Sequence, residues 1–325
     1  MSISRNRLPL RRRAYGTRVT RVSTPRKSLS LRRRELGPAG VRVSTPRNHV
    51  SPRRRAFSAS HHLLLIVLSL LSLFPVILIL STALKTEQDV KVNPFGLFSS
   101  FSFENIVQAW TVGEFGSHLL DSVLLTIPST VLTVVLSTMA GYAFARLPFP
   151  GRNLLFYAVV LGLLVPFFAY MIPLYFQLRT MGMLDTLVGT ILVLSTTGLA
   201  FGAFFMRAFF SDLPDELEQA ARLDGASEAR IFMQVMLPLA TPGIGTLTVF
   251  TFLQNWNNFL VPLLYLPSGE YRPLTTGLYL FVGGRSVDIG PLAAGALITI
   301  LPVVLLFILL QRQVTEGFLS GAVKG

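Results

Sequence analysis

The feature that most constrains this chain is a series of apolar runs, each long enough to cross a lipid bilayer. The first run begins at Leu63 and continues to Leu80 with apolar residues, serine and proline alone. About 20 such residues in a helix cross roughly 30 Å of hydrocarbon, and 51% hydrophobic residues is high for a soluble domain. The sequence therefore predicts an all-α polytopic membrane protein. The predicted spans are 63–84, 118–144, 154–177, 186–209, 243–266 and 291–310.

The positive charge of the chain is concentrated in its first 60 residues. Residues 1–60 hold 17 Lys and Arg and one acid, Glu35, whereas residues 61–325, the predicted membrane domain, hold 12 basic and 15 acidic residues. A segment so rich in charge cannot bury enough apolar surface to fold alone, so we predict that it is disordered. Three interpretations stay open: a tail that touches anionic lipid, an arm that binds nucleic acid, or the product of a misplaced start site. We favour the tail or the misplaced start, because no folded module or pattern of interleaved aromatic residues accompanies the charges.

A polar segment between the fourth and fifth predicted spans has the pattern of two short helices joined by a turn. Asp212 and Pro214 suit the start of the first helix. The side chain of Asp212 offers an oxygen that can cap the helix, and the N–H that proline is missing is not needed at the first helical position. Glu218 and Arg222 are four residues apart and can pair on one face of that helix. The whole loop is predicted to cover residues 211–242.

The turn and the second helix of this loop have signals of their own. Gly225 permits the left-handed turn that ends many helices, and Ser227 can cap the helix that follows. Pro238 and Pro242 are expected to interrupt that helix, because proline removes a backbone donor. The sequence thus predicts a short, rigid projection whose tip is apolar and built from small residues.

The spacing inside the loop resembles a known motif. Ala220-Ala221 is followed after three residues by Gly225, and after nine more by a stretch that ends in Leu237-Pro238. This pattern is similar to the cytoplasmic EAA loop of permeases in binding-protein-dependent ABC importers, and the resemblance extends over roughly residues 62–325. One departure is Gln219, where the family usually has Glu. The coupling residues that the resemblance implies are Ala220, Ala221, Asp224, Gly225, Leu237 and Pro238.

The resemblance also implies an assembly and a mechanism. A pair of ATP-binding subunits would bind the loop, a second permease subunit, expected to be a different chain, would share the path, and an extracytoplasmic solute-binding protein would deliver solute. Transport would follow alternating access, in which the loop converts closure of the ATPase pair into movement of the spans. The expected location is a bacterial or archaeal plasma (inner) membrane. The excess of Lys and Arg on the side of the N-terminus places both termini and the loop in the cytoplasm.

The fifth predicted span carries an unusual number of amides. Thr251, Asn255 and Asn258 recur at spacings of four and three, which puts them on one helix face beside Trp256. Unpaired amides in hydrocarbon are costly, so these groups must meet protein or a wet cavity. Two interpretations carry equal weight: hydrogen bonds between helices, or a polar strip along the translocation path. The candidate path residues are Thr251, Asn255, Trp256 and Asn258.

Amides beside an aromatic ring suit a neutral solute with many hydroxyl groups, which needs hydrogen bonds and no opposite charge. The run Trp256-Asn257-Asn258-Phe259 resembles the maltose-type, carbohydrate-uptake branch of the family, with Asn258 in place of its acid. The resemblance therefore implies a sugar or oligosaccharide. One alternative is a permease for another small solute, such as a polyamine or peptide, although a cationic solute would favour carboxylates that the path lacks. Another is a membrane-anchored protein that binds nucleic acid or lipid through residues 1–60.

No catalytic pattern occurs in the sequence. It contains no Gly-x-x-x-x-Gly-Lys-Ser/Thr phosphate loop and no cysteine, and three of its four histidines lie at or before His62. We therefore predict no enzyme activity, no cofactor and no metal site. The spans carry almost no ionisable residues, which argues against coupling to protons or sodium. The energy for transport is expected to come from the ATPase partner.

Overall fold

The computed structural model describes residues 52–282 and 287–322 of the chain. Most of the predicted basic segment, residues 1–51, lies outside these ranges. Every regular element within them is helical, which confirms the all-α prediction. The helices, in chain order, are α1 (Pro52–Ala83), α2 (Glu87–Val92), α3 (Glu104–Thr111), α4 (Phe115–Arg146), α5 (Arg152–Leu161), α6 (Phe167–Thr180), α7 (Leu187–Asp212), α8 (Asp215–Leu223), α9 (Glu228–Ile231), α10 (Leu237–Leu239), α11 (Thr241–Trp256), α12 (Leu260–Tyr265), α13 (Leu274–Gly277) and α14 (Ile289–Ala322).

Four of the described helices are long and apolar enough to cross a membrane. They are α4, α7, the stretch His61–Ala83 of α1 and the stretch Ile289–Leu309 of α14. Two further pairs of helices are apolar enough but bent: α5 with α6 by 99°, and the stretch Glu228–Leu239 with α11 by 73°. The described part of the chain thus holds four candidate spans, or up to six when each bent pair counts as one.

The stretch predicted as one span at 154–177 consists of two helices. α5 ends in a short 3-10 turn at Gly162–Leu164, and α6 begins just after Pro166. Proline disfavours a helical backbone at the residue before it, and Val165 is accordingly extended, with φ −87° and ψ 108°. The helix stops at this point, and the chain turns by 99°.

The stretch predicted as the fifth span, 243–266, also consists of two helices instead of one. α11 stops at Trp256, and α12 begins after a gap of three residues. Pro262 has no N–H to offer the carbonyl of Asn258 four residues before it. The Thr275 hydroxyl donates to that carbonyl instead, at 2.9 Å. The proline therefore separates the two helices, and a hydroxyl from another segment satisfies the carbonyl that it leaves free.

Asn258 has a local structural role at this break. Its side-chain oxygen accepts from the N–H of Val261 at 3.0 Å, in the first turn of α12, where N–H groups have no partner within the helix. The prediction that Asn258 shares a helix face with Thr251 and Asn255 is wrong, because the helix that carries those two residues ends before Asn258.

The most extensive contact between helices joins α4 to α7. Three hydroxyl groups donate across it: Thr133 Oγ1 to Ser195 O at 3.1 Å, Ser195 Oγ to Ser129 O at 3.3 Å, and Ser137 Oγ to Leu199 O at 3.5 Å. Gly198 and Gly202 of α7 lie against α4 at the same contact. Small residues let two helices approach closely in lipid, where packing and hydrogen bonds must hold them together.

Gly141 makes an equally close contact nearer the end of α4. A Cβ placed at Gly141 would lie 2.5 Å from Met206 Cβ and 2.8 Å from the backbone nitrogen of Arg207. Neither atom is the far end of a flexible side chain that could move aside. The two helices therefore pack as one rigid pair.

We predict that Gly141→Ala destabilises the protein, because the added methyl group must push α4 away from α7. Overpacking of this kind costs about 1–3 kcal/mol. The matched control is Gly162→Ala, where the atom nearest to the new methyl group would be Ala200 Cβ at 3.9 Å. The measurement is thermal unfolding of both variants and the parent in one detergent. Equal unfolding temperatures for Gly141→Ala and the control would contradict the close approach.

Candidate functional site

The loop between α7 and α11 contains the expected helix-turn-helix. After α8 comes a turn in which Gly225 has φ +77°, a left-handed conformation that favours glycine. Ser227 then caps α9, its hydroxyl accepting from the N–H of Arg230 at 3.4 Å. The predicted start of the first helix is wrong in one detail. Asp212 is the last residue of α7, and Pro214 precedes α8 without a side-chain cap.

The second helix of the loop continues past the first predicted interruption. α9 passes through a π-helical turn, Phe232–Met236, into α10, and this turn closes with a hydrogen bond back to the Phe232 carbonyl. The widened turn accommodates Pro238, which has no N–H to donate. The chain bends by 73° instead at Ala240, just before Pro242 in the first turn of α11. Proline suits that position because its missing N–H is not needed there.

One side of the loop packs on the ends of α4 and α7, and the other side is exposed. Ile231 and Met236 are fully buried, in a cluster with Tyr142, Met206 and Phe210. The loop therefore has a fixed orientation on the spans. Of the predicted coupling residues, the exposed ones are Ala220, Asp224, Gly225 and Pro238, and the partly buried ones are Ala221 and Leu237.

Leu223 adds an apolar side chain to the exposed tip. It is 89% exposed, directly before the turn, and it is not among the predicted coupling residues. The one sequence signal that could have identified Leu223 is its position between two charged residues, Arg222 and Asp224. Sequence reasoning misses it because a lone leucine in a short helix more often points into a core.

Arg146, the last residue of α4, joins the spans to the loop. Its Nε and Nη2 donate to Phe210 O at 3.1 and 2.6 Å, and Nη2 also donates to Leu213 O at 2.5 Å. These carbonyls lie at the end of α7, where a helix leaves acceptors without partners. The remaining nitrogen, Nη1, pairs with Asp215 and lies 3.6 Å from Glu218 of α8. One guanidinium group thus fixes the ends of α4, α7 and α8.

Glu218 extends this contact to the second helix of the loop. Its carboxylate is nearly buried and accepts from Arg222 at 2.5 Å, which confirms the predicted pair four residues apart. Arg222 also donates to Glu228 of α9 at 3.0 Å, and this hydrogen bond raises the pKa of Arg222 above its ordinary value. Sequence reasoning finds the pair with Arg222 but misses Arg146, which is distant in the chain.

We predict that Arg146→Gln loosens the loop from the spans. The change leaves Glu218 with Arg222 alone and removes the charged donor of the Phe210 and Leu213 carbonyls, and losing a hydrogen bond to a charged group costs about 1.5–3 kcal/mol. Trypsin should then cleave inside the loop faster, because the loop opens more often. The control is Arg152→Gln, since Arg152 makes one longer hydrogen bond, to Leu147 O at 3.4 Å. Equal cleavage rates in the two variants would show that Arg146 does not hold the loop.

The predicted path residues of α11 are buried inside the chain. Asn255 Nδ2 donates to Thr130 Oγ1 of α4 at 3.3 Å, and Trp256 Nε1 donates to Thr299 O of α14 at 3.0 Å. Thr251 is buried as well. These contacts are the hydrogen bonds between helices that the sequence leaves open as one of two interpretations. A role along the path remains a prediction for all the candidate path residues.

Another side of α11 is exposed. Phe250, Gln254 and Asn257 follow one another at spacings of four and three, and all are exposed. Asn257, the residue directly after α11, donates from Nδ2 to Leu253 O of that helix at 2.9 Å. The sequence places amides on more than one side of α11, so spacing alone does not show which side packs against the neighbouring helices.

Residues 133–315 match the family of binding-protein-dependent transport system inner membrane components. The matched stretch is more than half of the chain and includes both the helix-turn-helix and α11. The chain belongs to this family. This inner membrane component is part of an ABC transporter with other subunits, as the resemblance implies. The transport interpretation therefore replaces that of a membrane-anchored protein that binds nucleic acid or lipid.

Three relatives of this inner membrane component are named for saccharide uptake. The diacetylchitobiose uptake system permease protein of Streptomyces coelicolor is 35% identical over 82% of this chain and 89% of its own length. The trehalose transport system permease protein of Mycobacterium tuberculosis is 35% identical, with 78% and 93% covered. The arabinooligosaccharides transport system permease protein of Bacillus subtilis is 33% identical, with 81% and 94% covered.

The fold of this inner membrane component is shared with a solved transporter. A chain of a bacterial ABC transporter involved in the import of the acidic polysaccharide alginate superposes with a TM-score of 0.72. The two chains are 24% identical, and the superposition covers 81% of this chain and 98% of that one. The likeness concerns the arrangement of the helices.

Proposed function

We propose that this chain is the permease subunit of an ATP-driven importer for a sugar or oligosaccharide, and that it works by alternating access. Family membership and the saccharide systems named for its relatives support this proposal. The observation that carries it is the connection from the exposed loop through Arg146 to α4 and α7. Such a connection allows a movement imposed on the loop to become a movement of the spans.

The proposed partners bind on opposite sides of the membrane. A pair of ATP-binding subunits hydrolyses ATP and binds the loop in the cytoplasm, where both termini of this chain also lie. A solute-binding protein delivers solute on the outer side. A second permease subunit, a different chain, completes the path. This chain itself performs no catalysis.

The proposed docking surface is the exposed tip of the loop. Its small residues let a partner approach the backbone, and Leu223 offers apolar surface that docking would remove from water. Gln219 presents an amide where the family has an acid, while the neighbouring Glu218 is already engaged by Arg146 and Arg222. The proposed coupling residues are Ala220, Ala221, Leu223, Asp224, Gly225, Leu237 and Pro238.

The proposed path follows the exposed side of α11. Gln254 and Asn257 carry hydrogen-bond donors and acceptors, Phe250 carries an aromatic ring, and α11 has no charged residue. A neutral saccharide needs these groups, whereas a polyamine would favour carboxylates. The residues proposed to hold α11 and α12 beside the path are Thr251, Asn255, Trp256 and Asn258.

We predict that Gly225→Val abolishes uptake although the chain still inserts into the membrane. Nothing lies within 4 Å of a Cβ placed at Gly225, so its cost arises from the left-handed backbone. That conformation costs about 1–2 kcal/mol for a residue with a side chain, and relaxing it distorts the tip that the ATPase meets. Gly225→Asn should keep more activity, because asparagine tolerates this conformation. The measurements are saccharide uptake into vesicles and recovery of the ATPase with the purified chain.

Gly151→Val is the matched control. Gly151 has the same φ of +77° and also has nothing within 4 Å, but it lies between α4 and α5. This variant should still recover the ATPase. If Gly225→Val matched it in uptake and in ATPase recovery, the docking proposal would be wrong. If even the parent chain recovered no ATPase, the importer proposal itself would fail.

A further inference from the structure

The segment between α1 and α4 has polar side chains inside and aromatic side chains outside. Lys85 is 0% exposed and Asn105 is 2% exposed, whereas Phe95 is 79% exposed. A loop surrounded by water shows the opposite pattern. The exposed aromatic residues of the segment are Phe95, Phe98, Phe101, Phe103 and Trp110.

Hydrogen bonds inside the segment satisfy its buried polar groups. Lys85 Nζ donates to the carbonyls of Asn93 at 2.7 Å and Pro94 at 3.4 Å. Asn105 Nδ2 donates to the carbonyl of Lys85 at 2.7 Å, just beyond the end of α1. Polar groups in an apolar environment require such internal partners. The segment can therefore keep its shape where water is excluded.

Further hydrogen bonds fix the backbone that carries the aromatic side chains. Asp89 of α2 accepts from the hydroxyls of Ser99 at 2.5 Å and Ser100 at 2.8 Å, and these hydrogen bonds lower the pKa of Asp89. The N–H of Phe98 donates to Ser81 Oγ of α1 at 2.7 Å. The outward position of the aromatic side chains thus follows from a fixed backbone.

The segment lies at the membrane boundary and extends beside a span. It begins where α1 ends, at Ala83, and finishes where α4 begins, at Phe115, so both ends meet the same side of the bilayer. Trp110 of α3 borders an apolar cavity of about 540 Å³ that is also lined by Leu301. Leu301 lies within the apolar stretch Ile289–Leu309 of α14. The aromatic surface therefore continues onto the surface of a membrane span.

The segment also has exposed charged side chains, on α2. Glu87 and Lys91 of α2 pair with each other, and both side chains are exposed. At a membrane boundary, a segment that exposes both kinds of side chain places its aromatic rings among the headgroups and upper acyl chains and its charges in water.

We propose that residues 95–112 form an interfacial wedge whose aromatic side chains insert into the lipid leaflet at the end of α1. The partner is the bilayer itself, at the boundary between headgroups and acyl chains. Lipid is favoured over a protein because the aromatic surface starts at the membrane end of α1 and continues beside the apolar stretch of α14. The proposal requires only that α1 and α4 cross the membrane, so it does not depend on which solute is transported.

The fluorescence of Trp110 tests this proposal in the purified transporter, reconstituted in phosphatidylcholine vesicles. The chain has two tryptophans, and Trp256 is buried, so the difference between the parent and Trp110→Phe isolates the signal of Trp110. We expect lipid with a nitroxide near the headgroup to remove about half of that signal. A nitroxide near the end of the acyl chain should remove less, and iodide in the water should remove little.

Two added tryptophans, each in the Trp110→Phe background, report one aromatic and one charged position of the segment. Phe95→Trp should be quenched by the shallow nitroxide lipid, and Glu87→Trp should be quenched by iodide. If iodide quenched both Trp110 and Phe95→Trp strongly, the aromatic face would lie in water and the proposal would be overturned. If neither reagent quenched them, a protein would cover this face, and the proposal would be overturned in favour of that partner.

Discussion

The close approach of α4 and α7 is the contact on which the rest of the structure depends. Lipid tails are as apolar as the helices, so no hydrophobic force holds two spans together in a bilayer. Here Thr133 and Ser195 donate across the contact, and Gly141 brings the two backbones together. The pair offers a rigid body on which the loop and α11 can be placed.

Arg146 lies at the end of this rigid pair and gives the loop its orientation. The planar guanidinium group donates in several directions at once, which a lysine ammonium on a flexible chain does not do in the same fixed geometry. It therefore holds the carbonyls of Phe210 and Leu213 together with the carboxylates of Asp215 and Glu218. The tip of the loop, beyond this contact, stays available to a partner.

The sequence predicts structure well where lipid requires a certain length or a residue type requires a certain conformation. The apolar runs give the all-α membrane class, and Gly225 gives the left-handed turn. Apolar runs do not show where a helix bends, so the break at Pro166 is missed. Tertiary contacts also cannot be predicted from the spacing of residues. Spacing places Asn255 and Gln254 on one helix but does not show which of them packs inward. Arg146 is missed for the same reason, since its partners are distant in the chain.

A distance between the loop and α4 tests the central claim, that the loop and the α4–α7 pair move together. The chain has no cysteine, so Glu216→Cys on α8 and Val131→Cys on α4, both exposed positions, give the only two sites for spin labels in this chain. Electron paramagnetic resonance would measure this distance in the assembled transporter with and without ATP. The account predicts the same distance distribution in both states. A shift on ATP binding would contradict it, because the loop would then move independently of the spans.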